Sequence, residues 1–255
     1  MLVLRHYLGS EAVGQYALAY QLMGAVQQIP MLSFPVVVPY LVAAWVAERP
    51  STIQLYLDRV VPHAIFAMVL VLVVGALAGP RLVSLIFGQA FAPAGQAFPV
   101  LLLGVGWYCL FIVYMPILNL RERTQSMLRA SVLAAAANVI GDLVLVPRYG
   151  IVGAAWATVL SQAVGALFVA HAVTRDYRVS VPPLLLLLAP LVVVVTAVTL
   201  EPSPLLAAVA TALAGGLLIV AARHLHLGSP ADRRLLAGME VPGLRRFLNI
   251  AEHPR

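Results

Sequence analysis

The sequence predicts an all-α fold, a polytopic transmembrane helix bundle of about seven spans. Three observations predict it. Hydrophobic residues make up 62% of the 255-residue chain and charged residues 10%, against ~45–50% and ~25% in soluble domains. Seven apolar stretches, at 16–47, 60–78, 97–120, 130–147, 150–173, 183–200 and 203–222, interrupt an otherwise polar pattern. Each approaches or exceeds the ~20 residues with which a helix crosses a bilayer. Threaded back and forth, they divide the arginines unevenly. One side collects Arg49, Arg59, Arg121, Arg123, Arg129, Arg175, Arg178 and the six of residues 223–255, thirteen in all; the other holds only Arg5, Arg81 and Arg148. The rich side is expected to be cytoplasmic. The N-terminus is then outside and the C-terminus inside.

The net charge of +6 does not predict a nucleic-acid partner. The positive charges form no single patch; they sit at helix ends, where each gains ~1 kcal/mol from anionic lipid headgroups. Membrane lipids are the expected surroundings. Cys109 is the lone cysteine and lies inside the third span, so there is no disulfide framework. No cluster has metal-ligand spacing, and there is no glycine-rich phosphate loop or activated nucleophile, so neither a cofactor nor a catalytic constellation is expected.

Four segments are expected along the chain: 1–15, the external end of an absent helix with its loop; 16–175, five helices of a transporter lobe; 183–222, two additional spans; and 223–255, a cytoplasmic basic tail. Leu2, Val3 and Leu4 resemble the last turn of a helix whose earlier part is missing, and residues 1–10 are too short for a signal peptide. The expectation is the C-terminal portion of a larger transporter. In the first span Pro30, Pro35 and Pro39 each remove a backbone donor and crowd the preceding turn, which predicts a broken helix. Gln27 and Gln28 precede the break. Such breaks persist in membranes where they face protein or a wet cavity, so these glutamines are candidate substrate contacts. Packing against neighbouring helices is the alternative.

Residues 48–59 are charged, and Pro50-Ser51-Thr52 predicts a helix start, read as a short interfacial helix. The second span is expected to close at Gly79-Pro80. Residues 82–88 then lie in the membrane interface or extend that helix to Gly88. The fourth and fifth spans meet at Pro147–Gly150. Gly150, Gly153, Ala154, Ala155 and Ala157 give the fifth a small-residue face on which helices pack closely, and Gly215-Gly216 is expected to do the same in the last span. Beyond Arg223, Arg233-Arg234-Leu235-Leu236 and Leu244-Arg245-Arg246-Phe247-Leu248 read as basic amphipathic segments on the cytoplasmic leaflet.

Several stretches carry a family likeness. Asn138-Val139-Ile140-Gly141-Asp142 is followed by an apolar run to Pro147, then by Gly150-Ile151-Val152-Gly153-Ala154-Ala155-Trp156-Ala157-Thr158. Val13-Gly14-Gln15-Tyr16, Phe87-Gly88 with Phe91-Ala92-Pro93-Ala94, and Leu118 to Arg123 agree in order. Together, over about residues 5–175, they resemble the polysaccharide (O-antigen or lipid-linked oligosaccharide) flippases of the multidrug/oligosaccharidyl-lipid/polysaccharide exporter superfamily. The resemblance implies the second lobe of a two-lobed exporter, with the first lobe missing or separately encoded. It also implies a lipid-linked glycan substrate, glycan-assembly enzymes as neighbours, and residence in a bacterial cytoplasmic membrane. Asp142 stands where that family often has asparagine.

Asp142 is the acidic residue deep within a span. Asn138, four residues earlier, shares its helix face. Two readings stay open: a polar cavity wall with Asp142 as a cation or proton site, or an aspartate paired with Arg148 or reaching outer water. Arg59 and Arg129 begin cytoplasmic helix ends and are the candidate receivers of a diphosphate headgroup, since guanidinium forks match phosphate oxygens; anchors that set the orientation of the chain in the membrane are the alternative. Thr158, Ser161 and Gln162 share the fifth span and are further candidates for the cavity wall. His63 and His171 read as interfacial. Three functions follow in order: translocation of a polyprenyl-diphosphate-linked oligosaccharide by alternating access, a drug or cation antiporter, and a membrane enzyme of glycan assembly. The third would be expected to carry a polar external loop with reactive residues, and 81–98 has neither carboxylate nor histidine.

Overall fold

A computed structural model describes residues 2–179, 181–200 and 204–224. They are helical throughout, with no strand among them: α1 (Leu2–Met31), α2 (Phe34–Val46), α3 (Pro50–Leu55), α4 (Val61–Phe87), α5 (Ala92–Leu120), α6 (Thr124–Thr174), α7 (Val181–Leu200) and α8 (Pro204–His224). Four stretches are long and apolar enough to cross a membrane: Val3–Val46, Pro50–Phe87, Gln89–Leu120 and Thr124–Thr174. Their outer surfaces are apolar as well. Leu32, Val46, Val74, Leu85, Ile86 and Leu128 are each 65–80% exposed, a pattern that water-facing surfaces avoid when the residues are contiguous.

The bundle is organised around α5. Nineteen of its 29 residues are buried, against ten of 27 in α4, and α1, α4, α6 and α7 all pack on it. Its glycines are the points of nearest approach. A Cβ on Gly95 would lie 3.0 Å from Pro80 O of α4, one on Gly106 3.0 Å from Leu188 of α7, and one on Gly104 3.7 Å from Val159 of α6. In apolar surroundings there is little hydrophobic gain in bringing helices together, so such backbone-to-side-chain contact supplies the cohesion.

The 51 residues of α6 would be about 76 Å long if straight. They are instead a hairpin, as the break between the fourth and fifth apolar stretches predicts. Gly150 has φ 59° and ψ −132°, a conformation that side chains bearing a Cβ rarely adopt. Around it the two arms, 124–149 and 151–174, run back along each other. A Cβ on Gly141 would fall 2.9 Å from that of Ala157, one on Gly165 3.5 Å from that of Ala134, and one on Gly153 would overlap the Leu145 carbonyl. The expected small-residue face is therefore the seam of the hairpin. Gly215 and Gly216 correct the parallel expectation for the last span: nothing among the described residues lies within 4 Å of a Cβ at either.

Other expectations about boundaries also change. The first span is broken, as its prolines predict, at Leu32-Ser33 between α1 and α2. There Ser33 N bonds Pro30 O at 3.3 Å in place of the regular ladder. The helix beginning at Pro50 is not separate, because it runs through a π-turn at Tyr56–Val60 directly into α4. The second span does not close at Gly79-Pro80; of the two courses expected for 82–88, extension of the helix to Gly88 is the one observed. α4 continues to Phe87 and ends on Gly88, whose N–H bonds Ser84 O. Pro80 is accommodated because Gly95 and Gly79 let α5 come close beside it, with Phe98 against Gly79. The first helical segment does not end at Leu4; it continues to a break at Gly9. Residues 225–255, with the predicted amphipathic basic segments, lie outside the described residues.

The turns gather at two ends. Gln54 Nε2 donates to Arg178 O (2.7 Å), and Arg123 Nη2 lies 3.0 Å from Asp176 Oδ1. At the opposite end of α5, Gln15 Nε2 donates to Ala90 O (2.9 Å) and Leu8 packs beside Gly150. The arginine-rich connections thus share one end of the bundle and the arginine-poor ones the other.

Introducing a methyl group at the hairpin seam tests this packing. Gly153→Ala should destabilise the protein by about 1–3 kcal/mol, the usual cost of overpacking. Gly216→Ala, where space is open, should cause no loss. Thermal unfolding in detergent, followed by circular dichroism, distinguishes the two.

Candidate functional site

Between α1, α5 and the two arms of α6 lies a cavity of about 520 Å³. Its wall is built at helical spacing. Asn138 and Asp142, one turn apart on the first arm, are joined by Ala130, Ser131, Ala134 and Ala135, a row about 18 Å long at 1.5 Å per residue. Thr158, Ser161, Gln162 and Gly165 face them from the second arm. The small residues of the first arm leave the open volume, while the Gly141–Ala157 and Leu145–Gly153 contacts close the hairpin just beyond it.

Aromatic side chains complete the wall. Tyr16 and Tyr20 of α1, with ring centroids 6.0 Å apart, stand on one side. Tyr108 and Phe111 of α5, stacked with centroids 6.3 Å apart, stand on another. Their i,i+4 and i,i+3 spacing was available in the sequence, but it equally describes helix packing. Only the fold assigns these rings to the cavity. The Tyr16 hydroxyl lies 2.9 Å from Thr158 Oγ1, and Thr158 Oγ1 donates to Ala154 O at 3.2 Å. This ties α1 to the second arm, with the Ala154 carbonyl within reach of both hydroxyls.

Asp142 is the one charged residue in the cavity wall among the described residues. It is half-buried and makes no hydrogen bond or ion pair among them. The pairing with Arg148 considered from sequence is not formed. Six residues along a helix turn the side chain by about 240°, so Arg148 is exposed near the hairpin tip while Asp142 faces the cavity. Chemically the arrangement offers oxygen atoms: a carboxylate, an amide carbonyl and hydroxyls, bordered by four aromatic faces. Such a set suits a monovalent cation, a proton or a cationic group stacked on the rings. No group of three or more His, Cys, Asp or Glu side chains is arranged for metal binding among the described residues.

The other predicted residues are elsewhere. Gln27 and Gln28 are near the end of α1, outside the cavity wall, and Gln27 Nε2 is buried with no hydrogen-bond partner among the described residues. Arg59 lies in the π-turn that opens α4, where its carbonyl is 2.6 Å from His63 Nδ1. Arg129 is exposed, one residue before Ala130 of the cavity wall, at the arginine-rich end. The structure therefore brings Asn138 and Asp142 together, sets Arg129 close to the row they belong to, and does not gather Arg59, Gln27 or Gln28 with them.

Comparison of the chain with protein-family models, curated proteins and solved structures returns no match.

Two substitutions probe the wall. Thr158→Val should lower stability by about 1 kcal/mol through loss of the Tyr16 hydrogen bond. Asp142→Asn should raise the melting temperature, because it removes a half-buried charge that no described residue pairs. A fall in melting temperature in the Asp142→Asn variant would mean that the carboxylate has a stabilising partner.

Proposed function

We propose that this chain forms part of a membrane transporter that moves an amphipathic cargo by alternating access, without covalent chemistry. The observation that carries the reading is the polar, aromatic-lined cavity set among helices whose outer surfaces are apolar. In this reading the α6 hairpin counts as two crossings, and α1 with α2 as one broken crossing. With α7 and α8 the chain threads seven times, its arginine-rich end in the cytoplasm. The cargo is a polyprenyl-diphosphate-linked oligosaccharide, and a second lobe facing the open side of the cavity completes the pathway. Three things support this cargo: the ordered motifs shared with polysaccharide flippases, the position of Arg129 at the end of the cavity row, and the geometry of guanidinium for diphosphate.

A second reading has an observation of its own. Among the described residues the cavity wall contains a carboxylate and four aromatic rings but no arginine. This favours exchange of a cationic compound, with Asp142 alternating between cargo and a coupling ion or proton. A glycan-assembly enzyme has less support, since the described wall offers no activated nucleophile or acid–base pair.

Cytoplasm-sensing reporters fused after Arg123 and Arg178 should be active, and those at Gln89 and Ser203 inactive; reversal within either pair breaks the threading. Cargo is decided in proteoliposomes by comparing a fluorescent polyprenyl-diphosphate oligosaccharide with ethidium. On the first reading Arg129→Ala slows flipping of the diphosphate lipid about ten-fold, the worth of a charge-assisted contact, and Arg129→Lys restores part of it. Ethidium transport that is lost in Asp142→Asn and indifferent to Arg129→Ala would establish the second reading instead.

A further inference from the structure

At the arginine-rich end, outside the cavity already described, Arg121 occupies an unusual position. Its guanidinium carbon lies 5.3 Å from the centroid of Trp45, near the end of α2, and 5.4 Å from that of Tyr177, just beyond α6. Arg121 itself caps α5. One side chain thus bridges three segments that are distant in sequence. Its hydrogen bonding is meagre by comparison. Nη1 is 3.5 Å from Asp176 Oδ1, Nε is buried without a partner among the described residues, and Asp176 is shared with Arg123, which lies closer at 3.0 Å. The rings, more than the carboxylate, hold this cation.

The helix attached through Trp45 has little else to secure it. Only Leu41 and Ala44 of the 13 residues of α2 are buried. At its other end α2 is separated from α1 by the break at Leu32-Ser33. Beside its arginine-rich end is an open groove of about 450 Å³, bordered by Trp45, Arg49, Ile53, Arg121 and Tyr177. Glu48, the second residue after α2, has φ 52°, a conformation that disfavours residues with a Cβ. A short helix, joined to α1 by a turn at one end and bordering a groove at the other, depends for its position on the contacts at its far end.

We propose that Arg121 is a latch: its stacking between Trp45 and Tyr177 sets the resting position of α2 as a unit pivoting at Leu32-Ser33. The inference concerns a contact at the end of the bundle and needs no assumption about cargo or about the cavity. Arg123 is the internal contrast, since it shares Asp176 but touches neither ring. The guanidinium is suited to the role because it stacks flat on aromatic faces and never loses its charge.

Hydrogen exchange of the full chain in detergent, resolved by mass spectrometry, tests the latch. In Arg121→Gln, exchange across 34–46 should rise about five-fold, the effect of losing the cation–π contact with Trp45 of α2, with no change in 92–120. Trp45→Leu, which removes the contact from the α2 side, should reproduce it. Arg121→Lys should fall between wild type and Arg121→Gln, and Arg123→Gln should leave 34–46 unchanged. Unaltered exchange at 34–46 in both Arg121→Gln and Trp45→Leu overturns the proposal. So does an equal rise throughout 92–120, which would make Arg121 a general structural support of the bundle. Failure of either transport assay would leave these outcomes intact, and failure of the latch would leave the transport reading intact.

Discussion

The contact of Gly153 with the Leu145 carbonyl governs the rest of this molecule. It fixes how near the two arms of α6 come. That distance determines which residues stand opposite one another farther along the hairpin. With the seam closed at Leu145–Gly153 and Gly141–Ala157, Asn138 and Asp142 are carried to the level of Thr158 and Ser161, and the alanines beyond them leave a volume that no described side chain fills. A larger residue at the seam would spread the arms and disperse the polar groups. Close packing is here the condition for having a cavity, because rigid walls are what keep apolar side chains from collapsing into it.

Helix irregularity is distributed unevenly. The interior of α5 contains Pro99 and Pro116 yet remains one helix, because α1, α4, α6 and α7 enclose it and α4 and α7 meet it at glycines. The α1–α2 connection, with comparable proline content, is interrupted by a turn at Leu32-Ser33. Proline weakens the ladder in both places; neighbouring helices hold the weakened segment straight in one and are sparse around the other. The consequence is a rigid centre, α5 with the α6 hairpin, and a peripheral segment, α2, whose position rests on few contacts.

Charge is likewise divided between two tasks. At the arginine-rich end Arg123 is engaged with Asp176 and Arg121 with two rings and Asp176, while the Gln54 amide bonds the backbone of Arg178. In the cavity the sole charge among the described residues is Asp142, which none of them pairs. A carboxylate within apolar helices costs stability, and its presence beside Tyr16, Thr158 and Asn138 is the feature for which packing alone gives no reason. That contrast is what makes the cavity, rather than the arginine cluster, the candidate functional site.

The sequence by itself determined the helical class, the break after Pro30, the turn at Gly150 and the segregation of arginines. Each depends on local chemistry: apolar run length, a missing backbone donor, a proline and a glycine between two apolar runs, and the placement of arginines at the ends of those runs. It also singled out Asn138 and Asp142, since an i,i+4 polar pair within an apolar helix is visible without a fold. It could not place Arg59, Gln27 or Gln28, because residue type says what a side chain can bind and not which way its helix is turned. Nor could it separate Gly153 from Gly215, as both are small residues in apolar runs and only the presence of a neighbour differs. The same holds for Tyr16, Tyr20, Tyr108 and Phe111. Whether a ring lines a cavity, meets lipid or grips an arginine depends on the rotation of one helix against another, and that is fixed by contacts between residues as distant as Tyr16 and Thr158.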